Sequence, residues 1–359
     1  MPLILARSSL RDIGGYRCPL SLTTMFPTLR RASSSRGLRI PEKLEMSRIW
    51  VSQEERNAAQ LSRRNIQKSL TEFHQNGFVI LENAVCHNSI EHIRHRMLQD
   101  FNTYRKSSNL RWNQGKSSGN ISQPPPPLPE YLHEDVWANH LGVDIMENII
   151  GPRPQLSWVT SNIALPRSTG RQAVHSDYYC NHFDFPVFLE VCIYLQDVDS
   201  HNGATEFWLG THKGYSKDDH SSPTTGWIKQ EVFASRAMIS PPIQPAISKG
   251  SLMIRDLRCW HAGRSNQTNE PRIILGFMFS PQWFGSHMRM TFPYSARPCL
   301  ESWSHIDCLE TAEFVTGEFD YLKNHSDINL TQTPSDPNSP YIPKHGTGKV
   351  TSQDYWTPP

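Results

Sequence analysis

The chain has 359 residues, 37 % of them hydrophobic and 19 % charged, with a formal net charge of +2. That length and composition suffice for a large buried core, and a charge so near zero, with Lys and Arg scattered rather than striped, gives no field of the kind nucleic-acid binding needs. No stretch approaches the roughly 18 consecutive apolar residues of a spanning helix, so neither nucleic acid nor a membrane is an expected partner.

The first forty residues carry Arg7, Arg11, Arg17, Arg30, Arg31, Arg36 and Arg39, several serines and one acid, Asp12. Such a leader has the composition of a mitochondrial transit peptide, and it reads equally as a disordered extension or as a start placed ahead of Met46. The location is therefore expected to be cytoplasmic, or mitochondrial if the leader is a targeting signal. The catalytic fold is expected over 51–295, after an extension at 1–50 and before a partly loose tail at 296–359. Seven cysteines, Cys18, Cys86, Cys180, Cys192, Cys259, Cys299 and Cys308, include no Cys-x-x-Cys pair. They fit free, mostly buried thiols in a reducing compartment, which makes the sequons at Asn120, Asn266, Asn324 and Asn329 chance matches.

Apolar residues at Ala58, Leu61, Ile66, Leu70 and Phe73 recur at helical spacing and predict one amphipathic helix over 54–72, halted at Asn76-Gly77. Phe78-Val79-Ile80-Leu81 then reads as a buried strand. Asn88 or Ser89 can cap a second helix whose inward face holds Ile90, Ile93, Met97 and Phe101. Periodicity dissolves over 105–133, where Trp112-Asn113-Gln114-Gly115 and the run Pro124 to Pro127 suggest a long loop suited to cover a site. Helical spacing returns over 131–150 and stops at Gly151-Pro152. Short strand-like runs follow at 158–165, 187–195, 205–209, 251–254 and 272–279. A helical part at 54–150 and a barrel core at 155–290 make the expected fold mainly β with flanking helices: a double-stranded β-helix, or jelly-roll, cupin-like barrel, of eight short strands in two sheets. A helix-like piece is expected near 309–323.

Within that barrel, His175-Ser176-Asp177 places an imidazole and a carboxylate on one face of an extended segment. His261, 86 residues on, adds a second imidazole from a distant strand. Two histidines and one carboxylate form the facial set that holds non-heme Fe(II) and leaves the opposite positions open. Arg272 opens the apolar run Arg-Ile-Ile-Leu-Gly-Phe-Met-Phe and is suited to bidentate capture of a carboxylate, as 2-oxoglutarate requires. Asn162, on the preceding strand, either touches that co-substrate or the substrate, or only satisfies backbone groups. His182 and His212 do not share the ligands' face by spacing, Trp158, Trp260, Cys180 and Cys259 suit packing, and Asn202-Gly203 is a tight turn first. Asp256 and Arg258 either orient His261 or form a surface ion pair.

Residues 64–290 resemble the phytanoyl-CoA dioxygenase family of Fe(II)/2-oxoglutarate oxygenases. The resemblance rests on four elements in order: Leu70-x-x-Phe73-x-x-x-Gly77-Phe78-Val79-Ile80-Leu81; Ile193-Tyr194-Leu195-Gln196-Asp197-Val198; Asn202-Gly203-Ala204-Thr205-Glu206-Phe207 with Leu209-Gly210-Thr211-His212; and the spacing from His261 through Asn266 to Arg272. It implies His175, Asp177 and His261 as iron ligands and catalytic centre, and Arg272 as the 2-oxoglutarate anchor. Fe(II), 2-oxoglutarate, O2 and ascorbate as reductant are implied with them. The presence of Asp177 argues for hydroxylation or desaturation rather than halogenation. The loop at 112–127 is similar to the natural-product-tailoring branch, notably of fungi, and no basic cluster for CoA phosphates is evident, so a small organic metabolite of secondary metabolism is the expected substrate. An acyl-CoA 2-hydroxylase, a cupin-like metal hydrolase or isomerase, and an inactive binding module are the competing readings; Arg272 speaks against the hydrolase. Oligomeric state is left open.

Overall fold

The computed structural model describes residues 46–108, 110–178, 180–222, 225–285 and 288–323; the Arg-rich leader and the last 36 residues, with the expectations attached to them, lie outside the described residues. In chain order the elements are β1 (Arg48–Trp50), α1 (Gln53–Ala58), α2 (Arg63–Asn76), β2 (Phe78–Glu82), α3 (His87–Tyr104), β3 (Asn120–Ile121), α4 (Glu134–Trp137), α5 (His140–Ile150), β4 (Gln155–Ala164), β5 (Leu189–Tyr194), β6 (Glu206–Phe207), α6 (Gln230–Ile239), β7 (Leu252–Asp256), β8 (His261–Ala262), β9 (Arg272–Ser280), β10 (Met290–Pro293), α7 (Arg297–Ser302) and β11 (Ala312–Val315).

The principal sheet has seven strands in the order β1-β2-β7-β5-β9-β4-β3. Its longest ladder is antiparallel, β4 against β9 from Gln155↔Ser280 to Ala164↔Arg272. Every residue of β9 is buried, and strand alternation divides them between two environments. Ile273, Leu275, Phe277 and Phe279 pack into the main core with Trp137, Leu141 and Ile145 of the helical layer. Arg272, Ile274 and Gly276 share the opposite face, toward the barrel interior, where Ile274 joins a smaller cluster with Phe207 and Tyr194. Ile90, Ile93, Met97 and Phe101 of α3 are all buried in the main core, each contributing about 1.5–3 kcal/mol on transfer from water.

The second layer facing this interior is much less regular. β6 and β8 pair through Glu206↔Ala262 and Phe207↔His261, and single bridges extend them on either side, Phe207↔Ile243 on one and His175↔His261 and then His175↔Trp227 on the other. The jelly roll is thus mainly β with flanking helices, as expected, but its eight expected strands become a seven-stranded sheet opposed by a two-stranded pair with bridged loops.

Five local expectations are corrected. The helix over 54–72 is two helices, because Ala59 takes a left-handed φ of 51° and Ser62 caps α2 afresh by accepting from the Asn65 N–H. α3 starts earlier than Asn88, after Cys86, which supplies no side-chain cap. Helical spacing over 131–150 is split into α4 and α5, with Asn139 capping the second through the Gly142 N–H. The helix expected near 309–323 contains instead β11, paired in parallel with β10; the β-branched and aromatic residues of Ala-Glu-Phe-Val favour the strand. The loop at 105–133 is interrupted by β3, which adds to the sheet through Asn120↔Ala164 and Ile121↔Ile163.

Candidate active site

His175 and His261 face each other across a hydrogen-bonded antiparallel bridge: the His175 N–H donates to the His261 carbonyl at 3.0 Å and the His261 N–H returns a bond of 2.9 Å. This exchange sets the two imidazoles side by side, ring centroids 4.1 Å apart. Asp177 returns to the same face two residues later, with Oδ2 3.1 Å from His261 Nε2 and Oδ1 3.5 Å from His175 Nε2. One ligand-type atom from each of the three lies within 4.8 Å of the others. Ser176, between them, is on the opposite side, where its hydroxyl lies 3.1 Å from the Tyr215 hydroxyl and 3.4 Å from His220 Nε2.

Both rings are held by a carbonyl two residues upstream. His175 Nδ1 is 2.8 Å from the Ala173 oxygen, and His261 Nδ1 is 3.2 Å from the Cys259 oxygen. A carbonyl can only accept, so the proton of the neutral His175 ring sits on Nδ1 and its Nε2 lone pair is turned toward Asp177. Burial, reinforced by His261, pushes His175 down to about 3, and burial with the adjacent Arg255 also lowers His261. Burial alone would raise Asp177, but His261 and Arg255 outweigh it and hold the carboxyl well below its ordinary range. The donor set at neutral pH is two neutral imidazoles and one carboxylate, which fits a divalent iron ion.

A cavity of about 570 Å³, mouth included, opens over this face, and His175, Asp177, His261, Asn113, Asn162, Gln172, Thr160, Glu190 and Arg255 are among its lining. Asn113 brings the loop at 105–133 to the cavity, and the neighbouring Gln114 accepts from Trp227 Nε1 at 2.5 Å.

Arg272 lies behind this lining, 1 % exposed. Its Nη1 donates to the Asn162 carbonyl (3.1 Å) and to Asn162 Oδ1 (3.0 Å), and Nη2 donates to the Gly203 carbonyl (2.9 Å). Its Nε is buried without a partner, and no carboxylate among the described residues is within ion-pair distance. Burial pushes this guanidinium down to about 10. Asn162 lines the cavity, and its side chain is engaged by Arg272. The Asn202-Gly203 turn has a larger part than a turn alone: the positive φ of Gly203, 88°, is tolerated because glycine lacks a Cβ, and its carbonyl is an Arg272 acceptor.

Sequence reasoning overlooked Arg255 and Glu190. They are direct cross-strand partners of β7 and β5, an opposite-charge pair on the interior face. Arg255 Nε donates to Glu190 Oε2 at 3.1 Å, and Nη2 contacts Glu190 as well and donates to Asp177 Oδ2 at 2.7 Å. Nη1 lies 2.9 Å and 3.2 Å from the two His261 ring nitrogens. Burial opposes the Arg255 charge, yet Glu190 and Asp177 reverse that and raise its pKa well above the ordinary value. The available signal was a charged residue in phase with the interior positions of two apolar strands, Glu190 with Cys192 and Tyr194, and Arg255 with Met253.

Asp256 and Arg258 pair with each other at 2.6 Å, buried rather than at the surface, and Arg258 also donates to the Phe183 carbonyl. Among the described residues neither bonds to His261. His182 Nδ1 accepts from the Phe185 N–H, and His212 Nε2 lies 3.1 Å from the His74 carbonyl; neither joins the three-residue cluster. Trp158, Trp260, Cys180 and Cys259 are buried.

The family model described as phytanoyl-CoA dioxygenase matches residues 73–274, a stretch containing all of these side chains. The chain belongs to the phytanoyl-CoA dioxygenase family. It is a 2-oxoglutarate-dependent non-heme iron dioxygenase. Among solved structures, the non-heme alpha-ketoglutarate-dependent carbocyclase SnoK from nogalamycin biosynthesis is similar at 15 % identity, covering 62 % of this chain and 86 % of its own, with a TM-score of 0.47. The epimerase SnoN in complex with Fe3+, alpha-ketoglutarate and nogalamycin RO matches at 15 % identity over 61 % and 85 % of the two chains, TM-score 0.47. HygX from Streptomyces hygroscopicus, with nickel, 2-oxoglutarate and hygromycin B bound, matches at 14 % identity over 69 % and 97 %, TM-score 0.44.

Proposed function

We propose that this dioxygenase hydroxylates or desaturates a small organic metabolite of secondary metabolism, with His175, Asp177 and His261 as its iron ligands and Arg272, seconded by Asn162, as its 2-oxoglutarate anchor. The observation that carries the reading is the pairing of a neutral His/His/carboxylate cluster with a buried arginine that has only neutral acceptors, on facing layers of one barrel. A buried cation without a counter-charge is costly, and a carboxylate entering beside Arg272 offsets that cost with charge-assisted bonds.

Bound Fe(II) and 2-oxoglutarate supply the O2-dependent oxidation, releasing succinate and CO2. The residues of the chain set its conditions. Ala173 fixes the His175 tautomer that presents Nε2, Arg255 orients Asp177, and Asn162 with Gly203 steadies Arg272. The cavity lining supports a small substrate that forms hydrogen bonds. Amides and hydroxyls of Asn113, Gln172, Thr160 and Thr205 face it, no lysine is among the described lining residues, and its one arginine is engaged by two carboxylates. The phosphates of an acyl-CoA would find no free cation there.

The test is succinate formation by full-length protein given Fe(II), ascorbate, O2 and 2-oxoglutarate, beside anaerobic Fe(II) titration. Asp177→Ala should abolish tight Fe(II) binding. Arg272→Leu should leave it intact while raising the apparent KM for 2-oxoglutarate by about 10- to 100-fold, the loss of one charge-assisted pair. Unchanged iron affinity in the first variant, or unchanged KM in the second, removes the corresponding assignment.

A further inference from the structure

On the far side of the helical layer a second cluster of ligand-type side chains converges from three elements. Glu134 is the first residue of α4, His140 the first of α5, and His305 lies in the segment after α7. One ligand-type atom from each lies within 4.8 Å of the others. Glu134 Oε1 is 3.1 Å from His140 Nε2 and 3.9 Å from His305 Nδ1. The imidazoles of His140 and His305 are stacked, with centroids 3.6 Å apart and planes 18° from parallel.

The backbone beneath the cluster is pinned. Asn139 caps α5, while Asp307 beside His305 is fastened to the start of β4, its N–H to the Pro154 carbonyl and its carbonyl to the Leu156 N–H.

A hydrogen bond from His140 to Glu134 would account for those two residues without any ion. It does not account for His305, whose Nε2 lies 2.6 Å from the Ala138 carbonyl. Because a carbonyl only accepts, the His305 proton sits on Nε2, and the Nδ1 lone pair faces the Glu134 carboxylate. A lone pair opposed to a carboxylate oxygen is repulsive unless a proton or a cation lies between them. An imidazole anchored to a carbonyl through its far nitrogen is also the arrangement that orients histidines on metals.

We infer that Glu134, His140 and His305 form a second metal site, distinct from the barrel centre, that takes a borderline dication such as Zn2+ and clamps the segment after α7 onto the start of α4 and α5. Two imidazoles, one carboxylate and a water complete the four-coordinate preference of zinc. Glu134 and His140 are 47 % and 40 % exposed in their side chains, so an ion reaches them from solvent, while His305, at 16 %, supplies the rigid end. The inference is independent of the roles assigned to His175, Asp177 and His261.

The experiment uses untagged full-length chain carrying Asp177→Ala and His261→Ala to disable the barrel centre, dialysed against Zn2+ and, in parallel, against Co2+ for its visible absorption. About one equivalent should be retained, with a cobalt spectrum of tetrahedral type and a Zn2+-dependent rise in Tm. Adding His305→Ala or Glu134→Gln should weaken retention at least 10-fold and remove the Tm rise. His140→Gln, which keeps the His305 bond to Ala138, serves if the His305 variant does not fold. Retention of no zinc by the parent of this series, or equal retention after Glu134→Gln and His140→Gln, overturns the site.

Discussion

Replacing Arg255 with Leu should destabilise the metal-free protein by about 4 kcal/mol. The figure follows from what the guanidinium holds. It donates to Glu190 at 3.1 Å and to Asp177 at 2.7 Å, with side-chain exposures of 4 % for Arg255, 19 % for Glu190 and 32 % for Asp177. Hydrogen bonds to charged groups contribute about 1.5–3 kcal/mol each. The bond to Glu190 falls in the upper part of that range, and the bond to the more exposed Asp177 is discounted for solvent screening to the lower part. Breaking a buried pair by removing one partner costs about 3–5 kcal/mol, because the other charge is left stranded. Leucine strands two carboxylates close together, whereas Arg255→Leu with Glu190→Leu strands only the partly exposed Asp177. The double variant should therefore be more stable than the single, with a coupling above about 1.5 kcal/mol. Urea unfolding in the presence of a chelator measures both. Added Mn2+ should restore part of the loss in Arg255→Leu, since a dication then faces Asp177. A single-variant loss under about 1 kcal/mol, or a double variant no more stable than the single, would refute the reasoning that this pair organises the site.

Gly276→Ala tests the same network from the backbone side, since an added Cβ would lie 2.5 Å from Glu190 Oε1. Overpacking of this kind costs about 1–3 kcal/mol, and in a Glu190→Ala background most of that cost should vanish when both are compared by urea midpoint. Acid sensitivity should arise in part from His212, which burial pushes down to about 4. Its unfolded value is near 6.5, so the neutral ring contributes stability above pH 6.5 that is lost as pH falls toward 4, up to about 3 kcal/mol in all. His212→Gln should flatten unfolding free energy measured between pH 6.5 and 4.5; an unchanged slope would discard that origin.

The residues that could be read from sequence were those whose chemistry is tied to short spacing. His175 and Asp177 announce a shared face by standing two apart, and Arg272 announces itself as a charge opening an apolar strand. Strands β2, β5, β7 and β9 were visible for a related reason: buried almost throughout, they are mostly apolar runs. The second sheet was harder because its order resides in single bridges at His175, Phe207 and Trp227, which leave no periodic signature. Helix breaks at Ala59 and Ala138 were missed because the apolar spacing runs through them, and only backbone conformation and a new cap mark the interruption. Arg255 and Glu190 were overlooked because their significance depends on register, Glu190↔Arg255, which no local pattern specifies. The Glu134, His140 and His305 cluster joins residues 165 positions apart, His140 to His305, through folding of the segment after α7.

The backbone exchange between His175 and His261 has a kinetic meaning. Two of the three cluster residues are each other's partners in the ladder, so the backbones that carry their imidazoles separate only when that rung opens. An ion gripped by both rings would act as a pin through the rung, and the rung as a latch on the ion. Escape of the ion and exposure of those two amides would then be one event seen from either side. The solvent exchange rates of the His175 and His261 amide protons would keep time for residence at the centre without any chromophore.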